Sequence, residues 1–195
     1  MDRKVDRYLE LLFKWNAAFA LTAFSGREEA LTMGVAPSLL AAPLLPYGAR
    51  VLDVGSGGGF PAIPLAIARP DLHLTLTEPS HPKAAFLREA ARDLGLTYRV
   101  ESRTAEAVLA ADQEPWGAVT VRGVHVRKGL LKRLVRALIP GGILIAWPAG
   151  LRADQYAEWM EKLGLEVEKR PLLAEPLTLL IGHVPRGTSE SNPLE

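Results

Sequence analysis

The sequence predicts an α/β, Rossmann-like domain: a mostly parallel, seven-stranded sheet with helices on both faces, preceded by an N-terminal helical extension. Three observations predict it. Short apolar runs alternate with amphipathic stretches from about residue 49 onward, the pattern of repeated strand–helix units that build a doubly wound parallel sheet. A glycine-rich turn directly follows the first of those runs. The last two runs, 165–169 and 178–184, read as an antiparallel hairpin that closes the sheet.

The elements follow in order. Val5, Tyr8, Leu9, Leu12, Phe13 and Phe19 recur at three- and four-residue spacing, which predicts a helix from residue 1 to about 24. A second helix is expected over 28–40, weakened by Gly34 and Pro37. Strands are expected at 50–54, 72–77, 98–101, 118–122 and 143–147. Helices are expected at 61–68, at 82–94 before Gly95, at 128–138 before Pro140-Gly141-Gly142, and at 152–163 before Gly164. The expected organisation is an extension over 1–48, an α/β domain over 49–185 and a flexible, polar tail over 186–195. Neither repeats nor low-complexity segments interrupt it.

Composition narrows the function classes. The chain has 195 residues, 48% of them apolar, which suits one globular domain. The formal net charge is +1, so any nucleic-acid surface must be local. With no cysteine, disulfides, thiolate metal sites and a cysteine nucleophile are excluded. The four histidines are scattered without metal-ligand spacing. The N-terminus lacks the apolar core of a signal peptide, and no apolar run approaches the ~20 residues of a membrane helix. The expectation is a cytoplasmic protein with no membrane association.

The chemistry concentrates at Asp53-Val54-Gly55-Ser56-Gly57-Gly58-Gly59-Phe60-Pro61. Gly55, Gly57 and Gly59 let the chain turn tightly and leave space for a ligand against the backbone. Such a turn opens a helix, where backbone N–H groups are expected to be free for an anionic group. Asp53 stands just inside the first strand. Glu78, at the end of the second, is placed to accept hydrogen bonds from both hydroxyls of a ribose. That combination suits either a nicotinamide dinucleotide or S-adenosylmethionine. The dinucleotide pattern G-x-G-x-x-G fails from Gly55 because position 60 is Phe; a version from Gly57 through Gly59 to Ala62 falls late in the turn. S-adenosyl-L-methionine is therefore the expected cofactor, and methyl transfer the expected reaction. Ser56 lacks the G-x-S-x-G setting of a hydrolase nucleophile.

The same loop, continued through Ala62-Ile63-Pro64-Leu65-Ala66-Ile67 and Arg69-Pro70-Asp71, resembles the GidB (RsmG) family, bacterial methyltransferases that modify a guanine N7 in 16S ribosomal RNA. The likeness extends to Lys14-Trp15-Asn16, Leu21-Thr22, Lys83-Ala84-Ala85-Phe86-Leu87-Arg88, Arg103-Thr104-Ala105-Glu106 and Val121-Arg122. The resemblance implies that Gly55 and Phe60 line the cofactor, that Glu78 holds its ribose, that Ala105 and Glu106 meet its adenine, and that Arg122 is a further ligand. A guanidinium at a strand's end also suits a carboxylate or a phosphate on physical grounds. The chain departs from the family pattern His-x-x-Asp-Ser, reading Met33-Gly34-Val35-Ala36-Pro37-Ser38, and from its lysine–glycine after the fifth strand, reading Ala146-Trp147-Pro148-Ala149-Gly150.

The implied partner is ribosomal RNA of the small subunit. From Pro115 through Ala153 there is no acid, and the stretch carries Arg122, Arg127, Lys128, Lys132, Arg133, Arg136 and Arg152. Lys128, Lys132 and Arg136 share one helical face. Trp147 reads either as a base-stacking residue or as core. Two alternatives stay open: a methyltransferase for a small molecule or protein, and a non-catalytic module on ribosomal RNA that keeps a cofactor pocket.

Overall fold

The structure, a computed structural model, describes residues 2–148, 152–172 and 177–186. Seven strands form one sheet in the order β3-β2-β1-β4-β5-β7-β6: β1 Arg50–Val54, β2 His73–Thr77, β3 Arg99–Glu101, β4 Trp116–Arg122, β5 Leu138–Trp147, β6 Glu166–Pro171 and β7 Thr178–His183. The first five are parallel, β7 runs antiparallel to β5, and β6 pairs antiparallel with β7. The strand order reverses on either side of β1, where β2 and β4 flank it, and such a switch point opens a crevice beyond the C-terminal strand ends.

The helices are α1 Arg3–Phe19, α2 Arg27–Glu29, α3 Ala36–Leu39, α4 Ala62–Ala68, α5 His81–Leu94, α6 Ala105–Ala111, α7 Lys128–Arg136 and α8 Arg152–Lys162. A π-helical stretch, Ala30–Val35, joins α2 to α3. Helix α1 starts at Asp2, whose side chain accepts from the Lys4 amide, and buries Val5, Tyr8, Leu9, Leu11 and Leu12 against one sheet face. It stops at Phe19, earlier than the periodicity predicts. Ala20 takes a left-handed conformation at φ 46°, and Asn16 Oδ1 accepts from the Thr22 amide, so the chain turns back.

Other boundaries also differ from expectation. β5 begins at Leu138, not at residue 143, and α7 ends correspondingly early. Pro140-Gly141-Gly142 does not stop the chain, because Gly141 and Gly142 exchange backbone hydrogen bonds with Val184. β4 begins at Trp116, with a register shift between Trp116 and Ala118. Helix α6, unforeseen, is capped by the Thr104 hydroxyl and buries Ala105 and Val108. The expected tail falls almost wholly outside the described residues, as do Ala149 and Gly150. Among the described residues, no helix is long and apolar enough to cross a membrane, and no group of three metal-ligating side chains occurs.

Candidate functional site

Most of the sequence-predicted residues (Asp53, Gly55, Gly57, Gly59, Phe60, Glu78 and Arg122) lie at the C-terminal ends of β1, β2 and β4, whereas Ala105 and Glu106 start α6 beyond β3. Register places Val54 beside Thr77 on one side and Val121 on the other. The loop after β1 divides into two halves. Gly55 and Gly57 are partly exposed, with φ of +66° and +52°, values that L side chains rarely adopt. Gly58 and Gly59 are buried against the extension and α4. A Cβ on Gly58 would meet the Leu21 carbonyl at 3.0 Å, and one on Gly59 would meet Ile63 Cδ1 at 2.5 Å. The Tyr8 hydroxyl donates to the Gly58 carbonyl at 2.5 Å, so α1 holds the loop from behind. Gly58 and Tyr8 were not foreseen, because only the tertiary contact singles them out.

Four of the loop amides, those of Gly55, Ser56, Gly57 and Gly59, are already paired, contrary to expectation. Gly55 N–H donates to Thr77 Oγ1, Ser56 N–H to the Thr77 carbonyl, and Gly59 N–H to the Ser56 carbonyl. Gly57 N–H donates to Glu78 Oε2 at 2.9 Å, while Glu78 Oε1 accepts from the Ser80 amide at 2.8 Å. Glu78, largely buried, thus ties the tip of β2 to the loop. Each of its oxygens keeps acceptor capacity for a further donor.

Asp53 lies beneath the loop with no exposed surface. Its Oδ1 accepts from the Thr120 hydroxyl at 2.6 Å, and its Oδ2 and the nearby Ser56 Oγ have no hydrogen-bond partner. Burial pushes the Asp53 carboxyl up to about 6, opposed by the adjacent Ser56 and Thr120 hydroxyls and by the Arg122 charge. An unfolded aspartate titrates near ~3.9. Between roughly pH 4 and 6 the unfolded chain has lost this proton and the folded chain keeps it, so this residue's contribution to stability falls as pH rises through that window. Asp53→Asn is therefore expected to raise the melting temperature relative to the parent at pH 7.5, with the gain shrinking as pH falls from 6 to 4. A gain independent of pH, by calorimetry, contradicts this.

Phe60 faces inward. Its ring meets Tyr8 edge-on at 5.4 Å and Phe24 at 5.5 Å. Gly34 lies against it: a Cβ there would come within 2.7 Å of Phe60 Cε1. The histidine of the family pattern has no room at position 34. Ala105 is buried at the start of α6 and Glu106 is partly exposed beside it. Glu101, at the end of β3, accepts the Glu78 amide through its carbonyl and so links that corner to β2.

Arg122, at the end of β4, stands 5.8 Å from the Phe60 ring centroid. Nη1 donates to the Gly34 carbonyl at 2.8 Å and to Ser38 Oγ at 3.1 Å, and Nη2 donates to the Met33 carbonyl. Five N–H groups are available on a guanidinium, so Nε–H and one Nη2–H remain without a partner among the described residues. Burial lowers its pKa to about 10, and the Tyr8 and Asp53 charges oppose that shift. It stays cationic at neutral pH. Trp147 is core: it is buried and donates Nε1–H to the Pro37 carbonyl at 3.1 Å.

Val124, another residue not foreseen, overhangs the loop. Its Cγ2 lies 2.5 Å from where a Cβ on Gly55 would be. A ligand against Gly55 has to displace that side chain. Two grooves, of about 640 and 740 Å³, lie away from the loop along β2 and β3, share Thr75, Arg99 and Glu114, and include none of the predicted site residues.

What the arrangement offers is a backbone shelf at Gly55 and Gly57, an acceptor at Glu78 and a cationic fork at Arg122. That set matches a nucleoside carrying an amino-acid carboxylate. Solved structures with the same fold include a methyltransferase from Geobacter sulfurreducens (17% identity, TM-score 0.68, 95% of this chain and 89% of that one). Another is an S-adenosylmethionine-dependent O-methyltransferase from Thermotoga maritima (14% identity, TM-score 0.66, 92% and 73%). At these identities they speak to fold alone. Ribosomal RNA small subunit methyltransferase G of Stenotrophomonas maltophilia is 39% identical over 153 residues, 78% of this chain and 71% of that protein. Its counterpart in Halorhodospira halophila is 36% identical over 173 residues, 88% and 81%. The family model described as GidB, rRNA small subunit methyltransferase G, matches residues 1–172, and the chain belongs to that family.

Proposed function

We propose that this protein transfers a methyl group from S-adenosylmethionine to a guanine N7 in small-subunit (16S) ribosomal RNA. Family membership over 1–172 carries the reaction class; the donor set around the β1 loop supports the cofactor. When bound, S-adenosylmethionine supplies a sulfonium-activated methyl, and the N7–C bond forms as the S–C bond breaks.

The residues then have distinct tasks. Gly57 leaves backbone-level space for the cofactor, and Gly55 adds to it once Val124 moves aside. Glu78 accepts from the ribose hydroxyls while bracing Gly57. Arg122 would grip the carboxylate with the N–H donors that Met33, Gly34 and Ser38 leave unused. Ala105 and Glu106 lie at the adenine end. Asp53, Gly59 and Phe60 act from behind the loop, fixing its shape. Guanine N7 has an exposed lone pair, so alignment and water exclusion suffice, without a general base. That accords with a site lacking a catalytic dyad.

For the RNA, we assign phosphate binding to the exposed basic side chains of α7, with Lys128 and Lys132 on one face, Arg133 beside them and Arg127 at the N-cap. Neutralising phosphates releases counterions, so affinity falls as salt rises. The double variant Lys128→Ala, Lys132→Ala is expected to reduce the slope of log affinity against log salt by about one to two, leaving cofactor affinity unchanged. An unaltered slope in filter binding to 30S particles refutes the assignment.

The whole reading is tested by incubating undermethylated 30S particles with methyl-labelled S-adenosylmethionine and digesting the RNA to nucleosides. Labelled 7-methylguanosine is the expected product. Tight cofactor binding with no label in RNA favours the non-catalytic module, and label in a protein or small molecule favours a different substrate.

A further inference from the structure

Three aromatic rings stand in a row between α1 and α5. Phe86, on α5, is fully buried. Trp15 packs against it edge-on at 5.9 Å, and Phe19, one turn further along α1, lies against Trp15 at 5.5 Å. The row ends in the open: Phe19 is the last residue of α1 and is 46% exposed. Its chain neighbours Ala17, Ala18, Ala20 and Ala23 are exposed and too small to cover it. The row sits at the rim of the crevice. Directly after Phe19 the chain turns at Ala20, and the Leu21 carbonyl comes down on Gly58 of the β1 loop. On the other side, α5 starts at His81, just beyond Glu78. This rim is cationic. Residues 11–27 and 79–88 hold no acid. Lys14 and His81 are exposed, and Lys83 is partly exposed one turn before Phe86 on the same helical face. Asp93, the α5 acid that Lys14 attracts, is already bound by Arg7.

We propose that Phe19, backed by Trp15, is a stacking platform for an unpaired base of the substrate RNA, beside the crevice that takes the target guanine. An aromatic face accepts any base, and the flanking cations meet the phosphates on either side of it. Trp15 and Phe86 hold the ring from behind, so little freedom is lost when a base stacks on it. A second copy of this chain fits the patch less well. One ring flanked by alanines is small beside the roughly 1,200 Å² of a stable interface, and like charges would meet across a two-fold axis. This inference rests on the ribosomal-RNA substrate proposed above.

The test compares the full chain with Phe19→Ala, Phe19→Leu and Phe19→Trp, by filter binding to undermethylated 30S particles and by calorimetry with S-adenosylmethionine. Phe19→Ala and Phe19→Leu are each expected to weaken particle binding about fivefold to tenfold, the lower end of a base–aromatic stack. Phe19→Trp is expected to bind at least as tightly as the parent. Cofactor affinity and the slope of log affinity against log salt stay unchanged in all three, because the stack involves no charge. Parent-like binding by Phe19→Leu means that apolar area is read and not stacking, and overturns the proposal, as does parent-like binding by Phe19→Ala. Lost cofactor affinity in Phe19→Ala marks a packing role behind the β1 loop and overturns it too. Parent dimers in sedimentation that Phe19→Ala dissolves assign the ring to a second copy instead. If Phe19→Ala does not fold, Phe19→Leu against Phe19→Trp makes the same comparison. A parent that binds no 30S particles refutes the ribosomal-RNA reading itself; a parent that binds them no better than Phe19→Leu refutes the stack alone.

Discussion

Arg122→Ala is expected to weaken S-adenosylmethionine binding about tenfold to a hundredfold, the range for losing charge-assisted hydrogen bonds. The loss should be confined to the amino-acid end of the ligand. Adenosine, which lacks the carboxylate, is expected to bind the variant as it binds the parent. Arg122→Lys keeps the charge but not the planar fork, so an intermediate affinity is expected. The variant also removes the donors to Met33, Gly34 and Ser38, so earlier proteolysis of the 27–39 segment should accompany the binding defect. Equal loss for adenosine and for the whole cofactor would mean that Arg122 acts on the crevice generally and not on the carboxylate.

Glu78→Ala is expected to show the complementary pattern. It removes the acceptor of the Gly57 and Ser80 amides as well as the proposed ribose acceptor. Leaving two such amides without a partner costs about 1–3 kcal/mol each where they are shielded from water. Both adenosine and S-adenosylmethionine should lose at least about tenfold in affinity. Glu78→Gln retains one acceptor oxygen but replaces the other with an amide nitrogen that cannot accept. It should keep the fold and still bind adenosine less well. Normal adenosine binding by a folded Glu78→Gln protein contradicts the ribose role. The two residues thus divide the ligand, and the fragment that each variant loses identifies the half that it holds.

Much of this site was legible in the residues because its signals are local. The turn at Gly55, Gly57 and Gly59 needs positive φ at all three positions, and only glycine supplies that freely. Glu78 follows β2 directly, so its place beside the loop comes with the strand order. The strands were found because fully buried parallel strands read as apolar runs. Long-range contacts were the part hidden from the sequence. Nothing near Arg122 in the chain says that its guanidinium meets Met33, 89 residues away. Gly34 and Pro37 read as weak points of a helix; packing explains the first, with Phe60 filling the space over Gly34. Helix α6 escaped notice because Ala105–Ala111 holds only Val108 and Leu109 as large apolar residues, too few to mark a period. The start of β5 was concealed by Pro140-Gly141-Gly142, a stop signal that backbone pairing with Val184 overrides.

Two departures from the family pattern bear on specificity. With glycine at 34 and proline at 37, the extension offers no ionisable side chain where the pattern has histidine and aspartate. The polar groups at that end of the crevice are then backbone carbonyls, Ser38 and Arg122. An N7 acceptor, which has no proton to remove, suits such a surface.

A crystal structure of the protein soaked in S-adenosylmethionine tests the central claim most directly. The account predicts the ligand in the crevice beyond β1, its carboxylate on Arg122 Nε and Nη2, its ribose on Glu78, and Val124 displaced from Gly55. A crevice still closed by Val124, or a ligand bound in the Thr75–Arg99 groove instead, would contradict it.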